Sequence, residues 1–287
     1  MFKYWMYKIG SFFVNSLPWE LSYRLGDFLS DVHYFFSFRD RQLVKNNLKA
    51  ILGEREDVSF QAREVFRNFG RYLVEFFRME KIFNSNFIKV RVKVCDAKNI
   101  DKALAKGKGG IILTAHMGNW ELGGVVITSL GYSVTAIALP HKERPVNELF
   151  NRQRQIKGMT VVPMQNSVRK SIEALKSNGL VAVLADRDFT SHGELLDFLG
   201  KKALIPKGAA IFSIKTGAPL IPVFFMRQPD NTFILEIEEP IDPPEINEEM
   251  IEGPVLINFV EKYKKIIEDR IRRSPTQWLM FRKFWVE

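Results

Sequence analysis

Apolar residues along the chain form two alternating patterns. Short continuous apolar runs, of which Ile111–Ala115 is the clearest, have the length of strands that are buried on both faces. Similar runs at 133–139, 160–163 and 180–185 are separated by segments with apolar residues at helical spacing. This succession with short connections predicts an α/β fold in which a mainly parallel sheet is flanked by helices.

Three further segments extend the predicted sheet. Residues 87–95 alternate apolar side chains with Lys and Arg, which is typical of an edge strand. Residues 218–226 form another apolar run, and the alternating segment 232–239 is expected to be its antiparallel neighbour.

The amino-terminal residues carry a different pattern. Aromatic residues stand beside lysines in 1–8, and charges or proline interrupt every apolar run before it reaches the roughly 18 residues of a membrane span. Trp and Tyr beside Lys fit a helix lying in the membrane interface, and a helix that caps the protein core fits equally well. We predict amino-terminal amphipathic helices over 1–52 and an α/β domain over 53–287, with neither a signal peptide nor a full span.

Charge and cysteine content narrow the possible partners. The chain has 42 Lys and Arg against 33 Asp and Glu, a formal net charge of +9. This excess favours an anionic partner such as lipid headgroups, a phosphorylated glycolipid, an acidic carrier protein or nucleic acid. Nucleic acid is the weakest of these, because the sequence contains no recognition module. Cys95 is the only cysteine, which excludes an intrachain disulfide and a Cys-rich metal motif.

The candidate chemistry lies where the central strand ends. His116 follows the apolar run, Gly118 permits a tight turn, and Asn119 is a suitable N-cap for a helix with Glu121 in its first turn. We expect Glu121 to bind one ring nitrogen of His116, so that the other nitrogen can take a proton from a hydroxyl group. The alternative is a buried histidine and an ordinary first-turn acid.

Other polar residues follow the neighbouring strands. The segments 141–147 and 186–188 both come after predicted strands, and the carboxyl ends of strands are where ligands bind in open α/β sheets. The aspartates of Asp186–Asp188 need partners, because burying an unpaired carboxylate is costly. One of them could pair with Arg152 or Arg154 and shape an acceptor pocket, or it could help to hold His116.

The motifs resemble those of a known family. His116–Glu121 resembles the His-x4-Asp/Glu signature of the lysophospholipid acyltransferase superfamily, and HMGNWELGG at 116–124 resembles its bacterial lipid A (late) acyltransferase branch. Further blocks follow in the family's order, namely Asn46–Leu48, Arg144–Gly158, Leu184–Asp188, Phe198–Gly200, Pro206–Ala210, Thr216–Val223, Pro275–Trp278 and Arg282–Phe284.

This resemblance implies a glycerol-phosphate acyltransferase-like fold and an O-acyltransferase. His116 and Glu121 would be catalytic, and a second-block arginine, Arg154 with Arg152 in reserve, would bind phosphate or acceptor. The other candidate substrate-binding residues are Asn147, Asp186, Asp188 and Asn119. The acyl donor would be a thioester of acyl carrier protein rather than coenzyme A, the acceptor a lipid A precursor or related glycolipid, and neither a cofactor nor a metal ion is required.

Two predictions concern the substrates and the location. The apolar segments Leu195–Gly200 and Ala203–Ile205 could line the acyl channel, although core packing explains them as well. The enzyme is expected at the cytoplasmic face of the inner membrane, as a peripheral or monotopic protein. Two alternatives to an acyltransferase for lipid A precursors are open. One is an acyltransferase for a lysophospholipid or mannoside-type acceptor, and the other is a catalytically inactive membrane-binding protein.

Overall fold

The computed structural model describes residues 2–82, 85–155, 158–164, 167–189, 192–245 and 253–286. The helices of these ranges are α1 (Phe2–Ser16), α2 (Trp19–Phe36), α3 (Phe38–Leu52), α4 (Ser59–Ile82), α5 (Ser85–Arg91), α6 (Lys98–Leu104), α7 (Trp120–Ser129), α8 (Arg144–Gln155), α9 (Ser167–Lys176), α10 (Gly208–Thr216) and α11 (Pro254–Arg273). The strands are β1 (Val92–Cys95), β2 (Gly110–Thr114), β3 (Val134–Ala138), β4 (Thr160–Pro163), β5 (Leu180–Leu184), β6 (Glu194–Phe198), β7 (Lys201–Ile205), β8 (Leu220–Arg227) and β9 (Phe233–Ile237).

A seven-stranded sheet forms the centre of the molecule, with strand order β1-β9-β8-β2-β5-β3-β4. Its neighbouring strands are parallel except for β8 and β9, which form the predicted antiparallel pair. The predicted class, a mainly parallel α/β sheet flanked by helices, is confirmed. The apolar sequence of β2 suits its central position, where helices cover both faces of the strand and four of its five residues are buried.

The segment predicted as one edge strand is divided between two elements. Residues 85–91 form α5, and only Val92–Cys95 form a strand, which lies at the edge of the sheet as expected. The four residues of β1 pair in parallel with Phe233 to Glu236 of β9. The alternation of apolar and basic residues fits both conformations, so contact with β9 decided which residues extend the sheet.

Helices cover both faces of the sheet. Apolar side chains of α10 and α11 pack on one face in a core with β2, β5 and β8, while α4 and α7 pack on the other. The hairpin of β6 and β7 belongs to the first of these cores. It places Phe198 against Phe284 and Trp285 near the carboxyl terminus.

The amino-terminal residues 2–52 form the three helices α1, α2 and α3. They pack mainly on α4: Tyr23 of α2 is buried beside Val74 and Phe77, and Val44 and Leu48 of α3 lie in a core with Phe66. Within the described ranges, the structure contains no helix that is both long and apolar enough to cross a bilayer.

Candidate active site

The loop between β2 and α7 contains a position that has room only for glycine. Gly118 has a φ of +54°, and a Cβ atom at this position would lie 2.1 Å from the carbonyl oxygen of Phe225. The next residue caps α7, because the Asn119 Oδ1 accepts the backbone N–H of Leu122 at 3.1 Å. The predicted strand, turn and N-cap are therefore all present, and they bring His116 to the carboxyl edge of the sheet.

The carboxylate that binds His116 is Asp186, which follows β5. Its Oδ1 lies 2.7 Å from Nδ1 of His116, and its Oδ2 accepts the backbone N–H of the same residue at 3.0 Å. The expectation that Glu121 would hold the imidazole is wrong in this geometry. The parallel pairing of β2 with β5 puts Asp186 directly beside His116, whereas Glu121 has a different partner.

Glu121 forms a two-point ion pair with Arg154 of α8. The Nε and Nη2 atoms of Arg154 lie 2.8 and 2.6 Å from the two oxygens of the Glu121 carboxylate. Both side chains are largely buried, with 12% of Arg154 and 8% of Glu121 exposed. Burial alone would lower the pKa of Arg154, but the charge and hydrogen bonds of Glu121 outweigh it and raise that pKa. An arginine held in this way keeps its charge at the wall of the site.

The carboxyl-terminal segment 277–279 pairs with the loop that carries His116. Leu279 donates its N–H to the His116 carbonyl at 2.8 Å, and Gly118 donates to the carbonyl of Gln277 at 2.9 Å. Between them, the indole Nε1 of Trp278 donates to Oδ2 of Asp186 at 2.9 Å. Sequence reasoning did not assign this role to Trp278. The signature Pro275–Trp278 marked the segment, but a contact across 92 positions cannot be inferred from spacing.

A buried polar network fixes the start of α7. The Nδ2 of Asn119 donates to the carboxylate of Glu75 at 2.6 Å, and Arg227 and Tyr23 bind the other oxygen of Glu75 at 2.7 and 2.5 Å. Asn119 is fully buried by these contacts. Its assignment as a substrate-binding residue is therefore wrong, because no substrate can reach its side chain.

A cavity of about 690 Å³ opens beside His116. Its inner wall is apolar and follows one face of the sheet, because alternate residues of a strand point the same way. The wall residues come from four strands and from α7, namely Ile112, Ala136, Ala182, Val223, Phe225, Gly123, Gly124 and Ile127. His116 and Ile112 both line this cavity, and Ile112 lies within β2, before the turn that carries the histidine. The cavity is thus a slot that runs from the histidine into the apolar interior.

The mouth of the cavity is rich in cations. Lys142 and Arg187 line it together with Lys3 of α1, and Arg154 and Arg282 also contribute. His141 lies there too. Burial lowers the pKa of His141, the charge of Arg154 lowers it further, and Glu121 partly opposes both. Among the described residues, no group of three His, Cys, Asp or Glu side chains is arranged to hold a metal ion.

The remaining predicted site residues lie in different places. Arg152 is exposed and does not line the cavity, so Arg154 is the arginine that the structure brings to the site. The Oδ1 of Asn147 accepts the backbone N–H of His141 at 3.1 Å, which shapes the loop at the mouth. The Oδ2 of Asp188 accepts the N–H of Gly193 at 3.0 Å, within its own loop.

The segments expected to line an acyl channel do not do so. Phe198, Leu199, Ala203 and Ile205 belong to the core under α11, and neither their hairpin nor its turn contributes to the cavity wall. These residues pack in the protein core, which is the alternative interpretation of the two segments. The apolar face that lines the cavity belongs instead to the central strands.

Sequence comparison supplies the family. The sequence model of bacterial lipid A biosynthesis acyltransferases matches residues 1–287. The chain belongs to this family. It is also 29% identical over 227 residues to a phosphatidylinositol mannoside acyltransferase of Mycobacterium tuberculosis, a match covering 76% of the chain and 71% of that protein. A lipid A biosynthesis acyltransferase of Haemophilus influenzae is 25% identical over 145 residues, covering 50% of the chain and 45% of the relative.

A solved structure was also found. The 1-acyl-sn-glycerophosphate acyltransferase PlsC of Thermotoga maritima matches 86% of this chain and 97% of its own, with 18% sequence identity and a TM-score of 0.40.

The family membership makes the protein an acyltransferase acting on lipid acceptors. The predicted enzyme class is confirmed.

Proposed function

We propose that this acyltransferase moves a fatty acyl chain from a thioester to a hydroxyl group of a membrane glycolipid, with His116 as the general base. The observation that carries the proposal is the pair formed by His116 and the buried Asp186, whose oxygens lie on Nδ1 and on the backbone N–H of the histidine. Nδ1 then carries the proton, and Nε2 is the nitrogen that can accept one. No described residue binds Nε2.

The reaction follows from this arrangement. Nε2 takes the proton of the acceptor hydroxyl while its oxygen attacks the thioester carbonyl carbon, and the new C–O bond gives a tetrahedral intermediate. When the intermediate collapses, the C–S bond breaks and the proton on Nε2 passes to the leaving sulfur. Asp186 stabilises the imidazolium formed between the two steps.

The apolar slot supports the identity of the transferred group. An acyl chain needs a dry apolar channel, and the wall from Ile112 to Ala182 and Val223 offers one beside the base. Small residues make the room: Gly124 and Ala182 line positions where a larger side chain would fill the slot. The acyl chain would lie along the sheet with its thioester carbon near His116.

The cations at the mouth support an anionic acceptor and donor. Lys142, Arg187 and Arg282 can bind phosphate groups, and the net charge of +9 suits an acidic acyl carrier protein as donor, with coenzyme A the alternative. The proposed acceptor is a lipid A precursor or a related glycolipid. A phosphatidylinositol mannoside is the second candidate, because the Mycobacterium tuberculosis relative carries that acceptor in its name.

A membrane location is proposed from the amino-terminal helices. α1 contributes Lys3 and Tyr7 to the cavity and exposes Trp5, Phe12 and Phe13 elsewhere on its surface. Aromatic residues beside lysines are typical of helices at the membrane interface. We propose that the protein rests on the cytoplasmic face of the inner membrane, where its lipid acceptor enters the cavity beside α1.

Acyl transfer from a panel of acyl carrier protein and coenzyme A thioesters to extracted membrane lipids tests the proposal. Wild type should yield a new acylated lipid, whose mass identifies the acceptor. His116→Ala should lose roughly two to four orders of magnitude in rate, because a positioned general base contributes about that much. Arg169→Gln, a substitution at an exposed position, is the control and should keep the wild-type rate. Full activity of folded His116→Ala would refute the mechanism, and failure of wild type to move any acyl chain would favour a membrane-binding protein without catalysis.

A further inference from the structure

Trp278, in the carboxyl-terminal segment, is hydrogen-bonded to the pair formed by His116 and Asp186. The ring nitrogen of Trp278 lies 2.9 Å from Oδ2 of Asp186, the oxygen that also accepts the His116 backbone N–H. The other oxygen, Oδ1, lies on Nδ1 of His116. Asp186 is fully buried and Trp278 almost so. Each carboxylate oxygen therefore has a donor. Oδ1 is bound by the His116 ring, and Oδ2 is bound by the His116 backbone N–H and by the indole N–H of Trp278.

We propose that Trp278 is a positioning residue for the reaction, one that orients the Asp186 carboxylate and so fixes the orientation of the His116 imidazole. This rests on the proposed function of His116. His116 binds both oxygens of the carboxylate, and the indole N–H adds a third donor from a separate segment of the chain, which restricts rotation about the Cα–Cβ and Cβ–Cγ bonds of Asp186 further. Trp278 does not line the cavity, so it would act through Asp186 and not on the reacting atoms.

The backbone around Trp278 supports the assignment. The residues on either side of it, Gln277 and Leu279, are hydrogen-bonded to Gly118 and His116. Gln277 is itself held, since its Nε2 and Oε1 bind the backbone of Arg227 at 2.8 and 3.1 Å. Trp278 thus belongs to a segment that is hydrogen-bonded on both sides of the indole to the loop that carries the histidine.

The chain offers a matched control. Trp285 belongs to the same aromatic cluster, with ring centroids 6.5 Å from those of Trp278, and both contact Phe284. Its Nε1 is buried but has no hydrogen-bond partner among the described residues. Trp278→Phe and Trp285→Phe therefore remove the same atoms from one cluster, and only the first removes a donor from Asp186.

The donor has an electrostatic effect as well as a geometric one. Burial raises the pKa of Asp186, but the charge of His116 and the hydrogen bonds from His116 and Trp278 outweigh it and lower that pKa. Removing the indole N–H raises the pKa of Asp186 and makes proton uptake by the His116–Asp186 pair easier. The acid limb of the rate profile should therefore move to higher pH. The other charged and titratable groups that line the cavity are unchanged by the substitution, namely Lys3, Tyr7, Tyr72, Glu121, His141, Lys142, Glu143, Arg154, Arg187 and Arg282.

The first test is steady-state kinetics against pH on the full-length protein. Trp278→Phe should lower kcat about tenfold or more, leave KM for both substrates within about twofold, and move the acid limb of kcat/KM upward. Trp285→Phe should leave all three within about twofold. Trp278→His, which restores an N–H on a ring of smaller size, should recover part of kcat. Equal effects of the two phenylalanine variants, or a loss confined to KM, would overturn the proposal.

The second test does not depend on turnover. The imidazole nitrogen signals of His116, measured by NMR at a fixed pH, should shift in Trp278→Phe, because the carboxylate bound to Nδ1 loses a donor, and should not shift in Trp285→Phe. If the protein transfers no acyl chain but this shift is present, the proposed function fails while the positioning role stands. If wild type is active and the shift is absent, the positioning role is wrong and the function stands.

Discussion

At the residue scale, two carboxylates near His116 have different partners and different consequences. Asp186 faces the imidazole and the indole of Trp278, whereas Glu121 is occupied by Arg154. Glu121 still lines the cavity, so it meets the substrate as half of an ion pair rather than as a free acid. Its contribution should therefore be visible in stability as much as in rate.

Glu121→Gln should destabilise the protein by about 3–5 kcal/mol, because it leaves the buried guanidinium of Arg154 without a counter-charge. Urea unfolding measures the loss. In the double variant Glu121→Gln/Arg154→Gln no unpaired charge remains, so it should unfold at a higher urea concentration than the single variant. Additive effects in the two single variants and the double one would contradict the pairing.

A pH dependence belongs to His141. Since its pKa is lowered in the folded state, the unfolded chain takes up the proton first as pH falls, and stability drops below the unfolded value of roughly 6.5. We therefore expect the stability advantage of wild type over His141→Gln to be largest above pH 7 and to shrink toward pH 5. Urea unfolding at pH 7.5, 6.0 and 5.0 checks this. A difference that grows on acidification would show that the histidine is better charged in the folded state.

At the element scale, the slot exists because α7 approaches the sheet closely without filling the space. Gly123 packs so near the sheet that an added Cβ would lie 2.9 Å from Cβ of Phe225, and at Gly124 the nearest atom would be the Met159 sulfur at 3.1 Å. Alanines at 136 and 182 leave the space on the strand side. The length of acyl chain accepted should then depend on these strand positions.

Ala182→Leu should shift the preferred acyl chain to a shorter length, because the added side chain fills the slot between His116 and its inner end. Competition between thioesters of different length, with products separated by mass, measures the preference. Leu195→Ala on β6 is the control: this side chain is exposed and outside the cavity, so it should leave the preference unchanged. If Leu195→Ala changed the preferred acyl length and Ala182→Leu did not, the acyl chain would bind along the β6–β7 hairpin instead.

At the scale of the whole molecule, large apolar side chains are exposed unevenly. Eleven of them lie on the first two helices: Trp5, Met6, Ile9, Phe12, Phe13, Leu21, Phe28, Leu29, Val32, Phe35 and Phe36. Phe28 and Phe36 are 63% and 78% exposed. Apolar surface of this kind on a monomer marks an interaction site, and the lysines beside it suit an anionic bilayer.

Phe28→Ser/Phe35→Ser/Phe36→Ser should weaken binding to vesicles of anionic phospholipid by at least tenfold, because each buried aromatic ring contributes on the order of 1 kcal/mol. Co-sedimentation measures binding. Val168→Ser is the control, as its side chain is 66% exposed on α9, a helix that contacts β3, β4 and β5. Unchanged vesicle binding by the triple variant would assign these side chains to another partner.

Local sequence determined much of this protein. An apolar run, interrupted only by Thr114 and ending just before His116, specifies a buried strand, a glycine two residues after the histidine specifies the turn, and Asn119 specifies the helix cap. These signals depend on neighbours within a few residues, so they can be read directly, and the resemblance of the ordered motifs led to the family that the comparison confirms.

Only the tertiary structure decided which side chains meet. Strand order placed Asp186 beside His116, and a carboxyl-terminal segment brought in Trp278, although these residues are 70 and 162 positions from the histidine. Glu121, five residues away, points from the first turn of α7 toward Arg154 on α8. Proximity in sequence favoured Glu121 as the partner of the base, and the register of β2 with β5 gave that place to Asp186, because neighbouring parallel strands end at the same edge.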